Sequence, residues 1–222
     1  MNVEDFVDRI AGLSFPNVFN PYSDRCEIHD KRDAPAIRRH NLALAITGAI
    51  ESNVEYLWVA RDLGYRGGRR TGLALTDDVH VSAFGSMLGV PVQRATTGEA
   101  VAERTAATVW KIIREFNKPV FTWNVFPFHP FENGDQFTNR QHTRRERMAC
   151  QSLLENLIQI LQPKQIIAIG NSAAEGLLEL GVKAEKVRHP SYGGTADFVS
   201  GLSSIYHLQP LNKTQSEFSF HI

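Results

Sequence analysis

The sequence predicts an α/β fold: a single three-layer α/β/α domain around a central, mainly parallel sheet of about four strands. Short apolar runs of strand length recur at VEYLWVA (54–60), VFTWNVF (120–126), QIIAIG (165–170) and, more weakly, AEKVRHP (184–190). Longer stretches with helical spacing separate them, an alternation that implies right-handed crossovers and a sheet covered on both faces. With 222 residues and 42% hydrophobic content the chain can bury one full core. Residues 1–222 are therefore expected to form one domain, with a helical extension over about 1–50 and the chemistry over about 54–200.

Each element has a local reason. Val3, Phe6, Val7 and Ile10 have helical spacing over 3–13. The loop that follows contains Pro16, Pro21 and Pro35, which argue against regular structure. A helix over about 35–51 starts near Pro35 and turns Ile37, Leu42, Ala45, Ile46 and Ala49 inward. After the first strand, the Gly-rich stretch and TDDVHVSAFGSMLGV form an excursion. A long helix is expected over 97–116, with Val101, Ala107, Val109, Ile112, Ile113 and Phe116 inward. Another is expected over about 138–161, its apolar face made by Leu153, Leu154, Leu157, Ile158 and Leu161, ending before Pro163. SAAEGLLELG reads as a helix closed by Gly181.

Composition narrows the function. Lys plus Arg and Asp plus Glu both number 24, so no global field draws the protein to nucleic acid or membrane, and any polyanion site must be local. Two cysteines, Cys26 and Cys150, are too few for a four-cysteine cluster or zinc site and read as buried free thiols. MNVEDFVDRIAGLSF carries acids where a signal peptide carries basic residues, and no apolar run approaches the ~20 residues of a membrane helix. A soluble cytoplasmic protein without a membrane partner is expected.

Four segments bring polar or Gly-rich chemistry to strand ends, which share one rim in a parallel sheet, so Asp62, Asn124, Asn171 and His189 are expected around one cleft. GYRGGRRTG (64–72) has the glycines of a phosphate cradle and Arg66, Arg69 and Arg70 to add charge, but neither a GxGxxG order nor a GKS/GKT ending. The plainer reading is a solvated turn. His189, in RHPSYGG, sits in a tight loop able to set an imidazole and backbone N–H groups against an oxyanion, or is simply exposed. Asn124 offers a donor and an acceptor to a base edge, or caps backbone at a strand end. Asp62 either activates water or pairs with Arg61 or Arg66.

Together these segments resemble the uracil-DNA glycosylase superfamily, in an atypical branch without an iron-sulfur cluster. ARDLGYRGGRRTG aligns with the GEAPG-YRG-x-R-x-TG pattern of one branch, and Asp62 takes the place of the aspartate in the GQDPYH motif of another. WNVFPFHP resembles the second motif, IAIGNSAAEGL the strand-turn-helix before the last motif, and RHPSYGG the closing HPS motif. The departures are Ala60-Arg61 and Leu63 around the aspartate, Leu75 where relatives stack an aromatic residue on the base, and Gly193 at the wedge position.

The resemblance implies a DNA glycosylase that hydrolyses the N-glycosidic bond of uracil or a related damaged base flipped out of DNA, acting as a monomer without metal or organic cofactor. It implies Asp62 and His189 as catalytic residues and Asn124, Tyr65 and Phe126 as base-binding ones. Arg66, Arg69, Arg70, Ser191, Tyr192 and Gly193 would hold phosphates or supply the wedge, with Arg188 a further cation. Two alternatives stay open: a binding module of this fold without the chemistry, and an enzyme acting on a free nucleoside or nucleotide.

Overall fold

The computed structural model describes residues 1–208. The chain opens with helix α1 (Val3–Ala11), the short strand β1 (Val18–Phe19) and helix α2 (Ala34–Glu51). Asn2 caps α1 by accepting from the Asp5 N–H at 2.8 Å, and Glu4 and Asp5 complement the positive end of the helix dipole. Strand β2 (Tyr56–Ala60) leads into α3 (Gly68–Thr71), α4 (Val81–Leu88) and α5 (Arg104–Phe116). Then follow β3 (Val120–Asn124), β4 (His129–Pro130), α6 (Arg144–Leu161), β5 (Gln165–Ile169), α7 (Asn171–Glu179), β6 (Glu185–Val187) and α8 (Thr195–Tyr206).

The main sheet has the order β3-β2-β5-β6 and is parallel throughout, while β1 and β4 pair antiparallel by themselves. Its register sets Ala60 beside Asn124, Val59 beside Ala168 and Ile169 beside Val187, so all four carboxyl ends lie along one rim. Tyr56 and Trp58 face α5 and α8: Tyr56 meets Phe116 and Tyr206 edge-on, and Trp58 donates from Nε1 to the Tyr206 hydroxyl at 2.8 Å. On the opposite face Phe6 of α1 packs against Trp123, with α2 and α6 beside it. One contiguous core runs from Phe6 to Leu202, so the N-terminal helices are built into it.

Two helices begin later than their apolar spacing predicts. Glu103 is extended and serves as the N-cap position of α5, leaving 97–103 outside the helix. Ala107, expected inward, is exposed, and Ala106 and Trp110 are buried instead. The helix expected from 138 starts at Arg144, because Thr143 and Glu146 form a reciprocal capping box. The excursion after β2 holds α3 and α4, which the sequence left unassigned, as it did α8.

Buried ions tie the first loop to that excursion. The fully buried Arg38 guanidinium donates to the carbonyls of Arg70, Pro21 and Asp24 and forms an ion pair with Asp30. Tyr22 adds a 2.6 Å bond to the Gly72 carbonyl. Replacing Asp30 by Ala strands a charge that has no access to water. A loss of about 3 kcal/mol or more is expected in denaturant unfolding, against under 1 kcal/mol for the exposed Arg25–Glu27 pair.

His129 of β4 makes a second, pH-dependent contribution. Its Nε2 bonds the Thr138 carbonyl at 2.8 Å, and burial pushes its pKa down from 6.5 to about 4. Between those values the unfolded chain binds a proton that the folded chain does not, so stability falls as pH drops from 6.5 to about 4 and then levels off. Thermal melts across that range are expected to show the decline, and His129→Gln to reduce it.

Candidate active site

Beyond the carboxyl ends of β2, β5 and β6 the protein forms a cleft of about 350 Å³, within the range of small-molecule sites. Its walls come from Ala60 to Gly64 after β2, Ile169 to Ser172 between β5 and α7, and His189 to Tyr192 after β6. The N-terminal end of α5 closes another side with Glu103 and Thr105, next to Leu75. Asp62 and His189, distant in sequence, thus share one cavity.

His189 is held ready to donate. Its Nδ1 receives the Ser191 N–H at 3.2 Å and lies 2.7 Å from the Ser191 hydroxyl, an arrangement that assigns the remaining ring proton to Nε2. Burial lowers its pKa below the ordinary imidazole value, and the Arg61 charge lowers it further. The ring is therefore neutral at pH 7. Close approach depends on Gly170, whose backbone (φ 89°, ψ 174°) is one that only glycine adopts readily and whose Cβ, if present, would stand 3.2 Å from that of His189.

Asp62 is firmly engaged. Arg61 donates from Nε to both carboxylate oxygens at 3.0 and 2.9 Å, while His142 approaches one of them with its backbone N–H at 3.4 Å and Nδ1 at 3.2 Å. His142 packs on Phe126, and its Nε2 has no hydrogen-bond partner among the described residues. The sequence reading placed residue 142 inside a helix and so missed it; the Thr143-x-x-Glu146 capping box was the available signal.

Asn124 ends β3 beside the wall residue Ala60 but is not itself a wall residue. It is 1% exposed, and neither its Oδ1 nor its Nδ2 has a hydrogen-bond partner among the described residues. Leaving a buried amide unpaired on both sides costs free energy on the order of 1–3 kcal/mol per group, so such a group calls for an explanation.

Several other expected site residues lie elsewhere. Phe126 is fully buried against Phe15, Phe128 and His142, so it packs the core and is not available to stack on a base. Arg69 and Arg70 are likewise buried and cannot form a surface cradle. Arg69 lies over Phe19 at 4.0 Å and Phe137 at 5.2 Å and donates to Gln136, while Arg70 forms a 2.7 Å ion pair with Asp78. Their charge is consumed inside the scaffold.

Arg66 remains exposed, bonded through Nε to the Tyr65 hydroxyl, and Tyr65 lies outside the cleft wall. Arg188 is exposed with a loose 3.6 Å contact to Asp197. Tyr192, at the cleft's lip, is 97% exposed with a left-handed backbone (φ 51°), followed by Gly193 at φ 77°. Among the described residues no three His, Cys, Asp or Glu side chains are grouped to hold a metal ion, and no helix is long and apolar enough to cross a membrane.

A family model described as the Uracil DNA glycosylase superfamily matches residues 80–221. In three dimensions the chain is similar to the crystal structure of wild-type Pedobacter heparinus SMUG2. The TM-score is 0.61 at 15% identity, over 93% of this chain and 97% of that one. No curated protein sequence matches.

The electrostatics of the cleft can be read directly. Arg61→Ala removes a positive charge that depresses the His189 pKa, so an imidazole titration followed by NMR is expected to move upward in the variant. In the native protein that titration is expected to fall below the ordinary histidine value.

Proposed function

Because the chain belongs to the uracil DNA glycosylase superfamily, we propose that it is a DNA glycosylase, hydrolysing the N-glycosidic bond of uracil or a related damaged base turned out of the DNA stack. The observation that carries this reading is the cleft shared by Asp62 and His189, on the rim where β3 also ends in the Asn124 amide, unpaired among the described residues. A base edge with one donor and one acceptor would satisfy both of its atoms.

Extrusion of a base costs a few kcal/mol, least for a mispaired or single-stranded one, and must be offset at the site. Tyr192, almost wholly exposed at the cleft's lip, would fill the vacated stack. As the glycosidic bond breaks, negative charge gathers on the departing base and positive charge on the sugar. The Nε2–H of neutral His189 would bond the base oxygen where charge develops, an interaction that strengthens toward the transition state. The Asp62 carboxylate, fixed by Arg61 and His142, would stabilise the cationic sugar. Arg66, Arg188 and the Ser191–Gly194 backbone would meet flanking phosphates.

One observation favours a second reading, a binding module without turnover: both oxygens of Asp62 are already occupied by Arg61. Oligonucleotides carrying single uracil, hypoxanthine or xanthine lesions, incubated with the protein and then cleaved with alkali, separate the two. Strand scission is expected; binding without scission selects the second reading.

Two variants test the roles. In single-turnover assays His189→Ala is expected to slow base release at least tenfold with lesion affinity nearly unchanged. Asn124→Ala is expected to relax discrimination between uracil and cytosine, at roughly 1–3 kcal/mol. Affinity is expected to weaken with salt, and removing Arg66 or Arg188 to lower the salt slope by about one each. Salt-independent binding would point instead to a free nucleoside or nucleotide.

A further inference from the structure

The cleft holds a second carboxyl group that no motif identifies. Glu103 lines it from the N-cap position of α5, on the wall formed with Thr105 and Leu75. Its backbone is fixed from below, because Glu103 N–H donates to Asp77 Oδ2 at 2.6 Å and the fully buried Asp77 is held at its other oxygen by His80 at 2.6 Å. Its side chain rests on the Gly-rich loop, where a Cβ at Gly67 would stand 2.8 Å from Glu103 Oε2. Glycine at 67 therefore gives the carboxylate its place. Unlike Asp62, Glu103 forms no salt bridge among the described residues.

We propose that Glu103, rather than Asp62, takes the proton from the water that attacks the sugar. This rests on the glycosylase reading above. In the step, the Glu103 carboxylate removes one proton from water as the water oxygen bonds to C1′. The C1′–N bond breaks, its electron pair leaves with the base, and His189 bonds the base oxygen. The proton passes from Glu103 to the departing base anion or to solvent. Burial raises the Glu103 carboxyl above the ordinary range, against the opposing pull of Thr105 and the Ala106 N–H, which makes it the stronger base when ionised. Arg61, Asp62, His189 and Tyr192 are the other charged or titratable groups of the cleft wall, and Asp77 lies behind it.

The test uses the full chain and a single-turnover assay on whichever lesion the native protein releases. Glu103→Gln is expected to slow release at least a hundredfold with lesion affinity within about threefold and an unchanged melting temperature. Glu103→Ala is expected to be equally slow and to regain at least tenfold in added formate, a small carboxylate that a purely structural loss would not make effective. Asp62→Asn is expected to lose less than Glu103→Gln. Native-like release by Glu103→Gln, or no formate rescue of Glu103→Ala, overturns the assignment while leaving the glycosylase reading intact. Failure of the native protein to release any lesion overturns both.

Discussion

Parallel pairing of β2 with both β3 and β5 is the constraint on which the rest of the molecule depends. A parallel neighbour cannot be reached by a tight turn, so each strand must be followed by a crossover, and the crossovers supply the helices on both faces. The same pairing delivers every strand end to one rim. Residues leaving β2, β5 and β6 meet there without any local sequence relation, which is how Asp62, Gly170 and His189 share a cavity. The antiparallel β1–β4 ribbon contributes none of the cleft's wall residues.

Charge in this protein is divided between scaffold and surface in a way that a neutral total hides. Arg38, Arg69 and Arg70 are all nearly inaccessible, and each is offset by carbonyls, a carboxylate or aromatic faces. Arg38 accepts nothing and donates to three backbone carbonyls as well as Asp30, so it fixes the course of two loops that have little regular structure. A guanidinium suits that task because its planar fork presents several donors at fixed angles. What such pairs contribute is geometry more than net stability, since desolvation offsets much of their attraction.

The elements legible in the sequence were those whose signal is local. VFTWN is buried at every position, as a strand covered on both faces must be, and LLENLI carries the spacing of a helix packed on one side. Asp62 and His189 were legible because each follows such a run. What failed depended on distant partners. Nothing near Arg70 announces Asp78 as its buried mate, and Phe19 and Phe137, which cover Arg69, lie far away on either side. Phe126 looked like a stacking surface because its aromatic neighbours Phe15 and His142 come from other elements. Glu103 was concealed differently: a helix expected from residue 97 puts it inside the element, whereas it stands where the chain enters α5.

In its proposed role, the amide of Asn124 sets stability against recognition at a single residue. An apolar side chain of similar size would remove two unmatched polar atoms from the interior and would be accepted gladly by the surrounding core. Selection for heat resistance alone would therefore drift away from asparagine here, at the expense of the base discrimination proposed for this residue. By the same logic, a base bound as proposed would pair both atoms of that amide, and its binding should raise the melting temperature by more than its contacts with the rim alone suggest.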